Sequence, residues 1–175
     1  MSQTVVLDIE AFGAGQPALN PDLLVEHARV ALARYHESPA SFAVCTGADE
    51  HPATVVFGRP DPRSGATLER ERFVENGAIV MAGIVLNRFE RKQITRVLKR
   101  GRHVDYFVGD MPDDFRWILE VGGTDERNFT TLRSEKRAQL EGSPYRLPPH
   151  SKDGFVSVTR FAPGAVTASD RVRSL

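Results

Sequence analysis

The spacing of apolar and polar positions changes period several times along the chain, and each change marks an element. Residues 4–9, TVVLDI, are a short β-rich run that predicts a strand. Pro21 follows Asn20, a good N-cap, and Leu23, Leu24, His27, Ala28, Ala31, Leu32 and Tyr35 recur at helical spacing. That helix is expected to end near Glu37, because Ser38-Pro39 cannot continue it. Residues 41–46 and 53–58 predict two strands joined by a polar turn over residues 47–52. The sequence GRPDPRSG at 58–65 is a breaker-rich connection. The first 65 residues therefore read as a β-α-β-β unit.

Residues 68–90 predict a helix, with Glu69 and Glu71 in its first turn complementing the dipole. Its second half, AIVMAGIVL, is apolar all round and so belongs in a core. Length favours helix over strand there, although Gly77 and Gly83 each weaken a helix by about 1 kcal/mol. Strands follow at 94–100, 103–108 and 115–121, then a helix at 128–141 with Phe129, Leu132, Ala138 and Leu140 as its apolar positions. Residues 142–154 are Pro-rich and loop-like, 155–161 are a final strand, and the tail after Pro163 is expected to be mobile. The order over residues 68–161 is α-β-β-β-α-β.

The hairpin inside this run fixes a register. Met111-Pro112-Asp113-Asp114 is a four-residue loop, which sets Asp110 opposite Phe115, Val108 opposite Trp117, Tyr106 opposite Leu119 and Asp105 opposite Glu120. Strand side chains alternate faces and paired residues share one. Val104, Tyr106, Val108, Trp117, Leu119 and Val121 then form an apolar face. His103, Asp105, Phe107, Arg116, Ile118, Glu120 and Gly122 form the other, and a one-residue slip would mix the two sets.

Two carboxylates, Asp105 and Glu120, are thus opposed across a strand pair, where like charges repel and a compensating cation is expected. The residue types leave two compensators open. One is a divalent metal, with Mg²⁺ or Mn²⁺ suited to carboxylate oxygens and His103 beside them as a further ligand. The other is a salt bridge to Arg116, Lys99 or Arg96.

Composition narrows the classes. A chain of 175 residues suits one domain and buries about 70% of its unfolded surface. Hydrophobic residues at 41% and charged residues at 26% exclude wholesale disorder. The single Cys45 excludes an intrachain disulfide and suits a reducing compartment. The first residues lack the pattern of a signal peptide, and the longest apolar run, nine residues at 78–86, falls short of a membrane span. The expected setting is cytoplasmic, with no membrane partner. Balanced charge, 23 basic against 23 acidic residues, excludes an indiscriminate nucleic-acid coat.

That balance is a sum of unequal parts. Residues 1–58 carry a net −5, residues 59–143 a net +2 and residues 144–175 a net +3. Between Arg88 and Arg102 lie seven cations in fifteen residues, against Glu90 alone. Arg91, Lys92, Arg96, Lys99, Arg100 and Arg102 read either as a ridge contacting nucleic-acid phosphates or as a solvated face balanced by acids. Other constellations fail. The histidines show no metal-ligand spacing, Gly13-Ala-Gly15 opens no phosphate-binding helix, and Cys45 has no base that the sequence can place beside it. Trp117 and Tyr106 fall on the apolar face and read as core.

The α-β-β-β-α-β order, with Asp on the second strand and Glu on the third, resembles the restriction-endonuclease-like superfamily, the PD-(D/E)XK nucleases. The likeness covers about residues 68–161 and implies an α/β fold, a restriction-endonuclease-like core with an N-terminal β-α-β-β extension. It implies Glu75 as the helix acid, with Glu71 one turn earlier as substitute. Asp105 in HVDYFVG would be the second-strand acid and Glu120 in LEVGG the third-strand acid. In that family such residues hold a metal and cut phosphodiesters, which here implies Mg or Mn as cofactor, DNA or RNA as substrate, and bacterial defence as a setting. The segment is also similar to little-characterised bacterial proteins reading roughly D-Y-W-L-G followed by L-E-V-S-G. One departure stands out: the family's lysine, two residues after the third-strand acid, is replaced by Gly122. Lys136 on the second helix or Lys99 on the first strand could supply it. Without one, the resemblance implies an inactive nuclease-fold subunit acting in protein–protein assembly, with a protein partner or a homo-oligomer.

Overall fold

The computed structural model describes residues 4–67, 69–98, 104–126 and 128–174. Its strands are β1 (Val5–Asp8), β2 (Ala40–Thr46), β3 (Asp49–Val56), β4 (Gln93–Val97), β5 (Tyr106–Gly109), β6 (Trp117–Thr124), β7 (Gly154–Arg160) and β8 (Val166–Val172). The helices are α1 (Phe12–Gly15), α2 (Pro21–Ala33), α3 (Pro62–Thr67), α4 (Arg70–Val85) and α5 (Phe129–Glu141). The result is a mixed α/β protein. One eight-stranded sheet runs β1-β3-β2-β8-β7-β6-β5-β4, with parallel pairing at β1/β3, β2/β8 and β6/β7 and antiparallel pairing elsewhere.

Local chemistry sets the boundaries. Asn20 Oδ1 accepts from the Asp22 N–H (3.2 Å) and Pro21 occupies the first turn, so α2 starts where its cap dictates. It ends at Ala33, before the expected stop near Glu37, and buries Val25, Ala28, Ala31 and Leu32. The turn between β2 and β3 is shorter than expected, Gly47-Ala48, with Gly47 at φ 64°. His51 and Pro52 consequently lie inside β3. Pro52 is tolerated because β1 begins opposite Ala53, leaving residues 49–52 on an edge. The connection after residue 58 contains α3, and α4 runs on into a π turn (Leu86–Glu90) closed by Arg91 at φ 54°.

Three further boundaries differ from expectation. β4 spans Gln93–Val97, with residues 99–103 outside the described set, and β5 begins at Tyr106, leaving Val104 and Asp105 before it. β6 starts at Trp117 and reaches Thr124. The hairpin register is nevertheless the expected one, Tyr106 opposite Leu119 and Val108 opposite Trp117. Val104, just outside the strand, joins the cluster on the opposite face from its expected companions.

The largest correction is the C-terminal tail. Residues after Pro163 form β8, an interior strand between β7 and β2. Its neighbours on both sides leave Thr167, Ala168, Ser169 and Asp170 buried. Thr167 shares a 2.9 Å hydroxyl hydrogen bond with Thr159, and Asp170 is paired with Arg133 of α5. Through β8 the N-terminal strands join the same sheet as the rest.

The two faces of the sheet carry different layers. α2 and α4 cover one, over a core including Leu32, Val44, Met81, Val85, Leu119 and Val121. α5 covers part of the other, packing Leu132 and Leu140 against Ile118, Val156, Val158 and Val172. β6 lies between these layers, so functional groups from α4, α5 and β6 can meet only at an end of that strand.

Candidate active site

They meet where β6 outruns its neighbour. β5 pairs only with residues 117–119 of β6, while β6 continues for five residues more. Asp105 extends the pairing with its own groups: its N–H donates to the Leu119 carbonyl (3.1 Å) and its Oδ2 accepts from the Val121 N–H (2.9 Å). Beyond it opens a cavity of about 550 Å³, with α4 on one side and α5 on the other. Two glycines shape the floor. A Cβ on Gly123 would sit 2.4 Å from the Val74 carbonyl oxygen, so only glycine lets α4 lie this close to the strand. A Cβ on Gly122 would sit 3.1 Å from Lys136 Cγ and 3.2 Å from its Cε, so the lysine stem crosses the space a side chain there would fill.

The expected site residues converge in part. Glu75 of α4, Asp105, Gly122 and Lys136 of α5 line the cavity; Glu75 is exposed at its rim. Glu120 is 3% exposed and lies behind Lys136, whose Nζ donates to Glu120 Oε1 at 2.7 Å. The other oxygen, Glu120 Oε2, is buried without a hydrogen-bond partner. Glu71, one turn before Glu75, lines a neighbouring cavity of about 250 Å³ that shares Glu75 and Gly123 with the first.

Burial dominates the electrostatics. It pushes the Glu120 carboxyl up to about 7, with the Asp105 charge adding to the rise and the Lys136 hydrogen bond opposing it. Burial also raises Asp105, against the Val121 N–H and the Lys136 charge. The Tyr106 hydroxyl, on the cavity wall, is raised by burial and then by Asp105, Glu75 and Glu120. Among the described residues the two carboxylates share one ammonium, that of Lys136.

Of the salt-bridge candidates Arg116, Lys99 and Arg96, neither arginine is the cation beside the pair, which is Lys136. Arg116 is drawn instead to Asp114 (2.6 Å) and Asp110, and the Arg96 guanidinium lies 5.7 Å from the Phe115 ring centroid. Of the expected phosphate ridge, Arg91 and Arg96 are exposed, and Lys92 binds Asp110 (2.6 Å) and sits 4.3 Å from the Trp117 centroid. None of these three lines the cavity. Lys99, Arg100, Arg102 and His103 lie outside the described residues. Among the described residues no three His, Cys, Asp or Glu side chains are grouped closely enough to hold a metal ion, and no helix is long and apolar enough to cross a membrane.

Sequence reasoning missed two amides on the wall, Asn76 of α4 and Gln139 of α5. Asn76 follows Glu75 directly, and Gln139 is three residues after Lys136. Helical periodicity from Lys136 could have found Gln139, whereas adjacent helix positions do not share a face and nothing in the spacing pointed to Asn76. Tyr106, read as core, also lines the cavity. Cys45 is half-buried on β2, its thiol pushed up by burial, which suits packing rather than nucleophilic attack. Compared with known proteins, the chain matches no family model, no curated protein and no solved structure.

Proposed function

We propose that this chain is a metal-dependent nuclease with a restriction-endonuclease-like core, hydrolysing phosphodiesters of DNA or RNA beside Asp105, Glu120 and Lys136. The observation that carries the reading is the lysine. Gly122 removes it from the strand position, and Lys136 of α5 crosses the vacated space to reach Glu120. The run α4-β4-β5-β6-α5-β7, with β6 and β7 parallel across α5, is consistent with that core.

The donor set fits a divalent cation. Glu120 Oε2 is an orphaned buried acceptor, and both carboxyls are held toward their neutral forms by burial. Two carboxylates plus water and substrate phosphate are a usual set for Mg²⁺ or Mn²⁺. Asp105 and Glu120 would hold the ion, which supplies Lewis acidity at the phosphoryl oxygen and lowers the pKa of water. The chain's own groups do the positioning. The Val121 N–H fixes the Asp105 carboxylate. Lys136 gives one of its three N–H donors to Glu120 and keeps the rest for a phosphate oxygen. Leu132, Ile79 and Val121 supply apolar lining to the cavity.

One observation favours the inactive assembly subunit as a second reading: Glu120 stands behind Lys136, off the cavity wall. Cleavage assays separate the two. With Mn²⁺, single-stranded DNA, duplex DNA and RNA are offered to the wild type and to Asp105→Ala, Glu120→Ala and Lys136→Ala. The nuclease reading expects cleavage that both acid variants abolish and the lysine variant lowers by about a hundredfold. No cleavage of any of them, together with no calorimetric Mn²⁺ binding, overturns it in favour of the assembly subunit.

A further inference from the structure

Next to the carboxylates, the cavity wall holds a hydrogen-bonding group whose orientation is fixed from behind. His27 of α2 is 4% exposed, packed where α2 meets α4. Its Nδ1 lies 2.7 Å from Asn76 Nδ2, an amide nitrogen that can only donate. Burial holds the ring neutral, so it has one N–H and one bare nitrogen. The Asn76 amide donates to the bare nitrogen, so Nδ1 is the acceptor. Asn76 thus presents its amide nitrogen to His27 and turns its carbonyl the other way.

Asn76 is half-buried and lines the cavity that contains Asp105 and Lys136. Among the described residues no hydrogen bond engages Asn76 Oδ1. An oriented acceptor with no partner beside a reactive centre is a recognition device, because a substrate lacking the matching donor leaves it unsatisfied. A phosphate cannot be that match, since phosphate oxygens are acceptors. The acids Glu75 and Asp105 line the same cavity with Lys136. The complementary chemistry is a neutral N–H or O–H donor on the nucleoside, a ribose hydroxyl or a base amine.

We infer that Asn76 is a specificity residue, its Oδ1 accepting a hydrogen bond from a nucleoside donor of the strand held at the Asp105–Glu120 pair. His27 is the positioning residue that aims it. The inference rests on the nuclease reading for its substrate, but its test is read in binding as well as in cleavage.

The probes are short single-stranded ribo- and deoxyribo-oligonucleotides of matched sequence, each made in an A/C-only and a T/U-only form. Binding is followed by fluorescence anisotropy and cleavage by steady-state kinetics in Mn²⁺. If the donor is the 2′-hydroxyl, the wild type prefers ribose; if it is a base amine, it prefers A/C. Asn76→Ala is expected to erase that preference, raising KM for the favoured probe about tenfold with kcat within about threefold. His27→Phe should produce the same pattern more weakly, since it frees the amide without removing it. Thermal melts check folding. Should the alanine variant fail to fold, Asn76→Ser keeps a hydroxyl donor for His27 without the aimed carbonyl, and the same loss of preference is expected. Unchanged discrimination in a folded Asn76 variant overturns the inference, as does a uniform loss on every probe. A wild type that binds oligonucleotides but cleaves none refutes the nuclease reading alone, and the Asn76 effect is then read from binding. A wild type that neither binds nor cleaves overturns both.

Discussion

Glu120→Gln removes one buried charge while keeping the side chain's shape and an oxygen to accept from Lys136. Its effect is expected to depend on pH. The folded protein raises the Glu120 carboxyl from 4.5 to about 7, so the native state binds that proton more tightly than the unfolded chain does. A group raised in this way contributes stability below its unfolded value and loses it as pH rises through the folded one. The wild type should therefore lose about 3 kcal/mol between pH 4.5 and 7 from this side chain. Asp105 is displaced in the same direction and adds to the fall. Glutamine carries no proton to lose, and without its neighbour's charge Asp105 is also relieved. The stability of the variant relative to wild type should thus improve by about 3 kcal/mol on going from pH 5 to pH 8. Urea unfolding monitored by Trp117, the single tryptophan, measures both proteins at both pH values. Equal m-values with parallel pH profiles would refute the reasoning, showing that Glu120 is not strained by burial. So would a variant that weakens as pH rises, which would mean that attraction to Lys136 outweighs burial at Glu120.

The remaining expectations concern the scaffold around that pair. Gly123→Ala should cost about 3 kcal/mol, because its Cβ meets the rigid Val74 backbone at 2.4 Å; a melting temperature within error of wild type would show that α4 can lift away. Gly122→Ala meets a flexible lysine stem, with Leu132 Cδ2 in ordinary contact at 3.4 Å, and should cost about 1 kcal/mol, while displacing Lys136 and lowering cleavage more than stability. Asp170→Ala should cost about 3 kcal/mol by stranding Arg133 on α5, whereas Arg171→Ala, on an exposed pair with Asp153, should stay within about 0.5 kcal/mol. Both are read by urea unfolding, and an Asp170→Ala loss within about 0.5 kcal/mol would show that the α5–β8 ion pair adds nothing to stability.

Much of the sheet near the site was legible in the sequence because one face of each strand is apolar. The hairpin register followed from Val108, Trp117, Tyr106 and Leu119, and a slip would have buried Asp110 or Arg116. What was not legible came from neighbours distant in sequence. β8 reads as a mobile tail because Thr167, Ser169 and Asp170 are polar, and their burial depends on Thr159, Ser157 and Arg133. Likewise the partner of Glu120 could not be chosen among several lysines and arginines, since the choice depends on where α5 crosses β6. Gly122 carried that information, but as an absence: a missing side chain in a strand signals a close approach without naming what approaches. Asn76 and His27 are 49 residues apart and meet only because α2 packs on α4.

Lys136 also bears on how the site would take a cation. It already neutralises one of the two carboxylates, at 2.7 Å from Glu120 Oε1, and it stands between Glu120 and the cavity. A divalent ion at Asp105 and Glu120 must then share Glu120 with an ammonium or displace it, and like charges at about 4 Å oppose each other by about 1 kcal/mol or more even in water. Lys136→Met keeps most of the stem over Gly122 and removes the charge. It is expected to bind Mn²⁺ about tenfold more tightly by calorimetry, because the ion no longer competes. Cleavage should fall in the same variant, since the remaining lysine donors are gone. Tighter metal binding with poorer cleavage would mark Lys136 as a group that the site retains for chemistry at a cost in affinity. Weaker binding in Lys136→Met would mean the opposite, that the lysine holds Glu120 in place for the metal. Unchanged binding would place the ion away from Glu120 altogether, on Asp105 and the Glu75 rim.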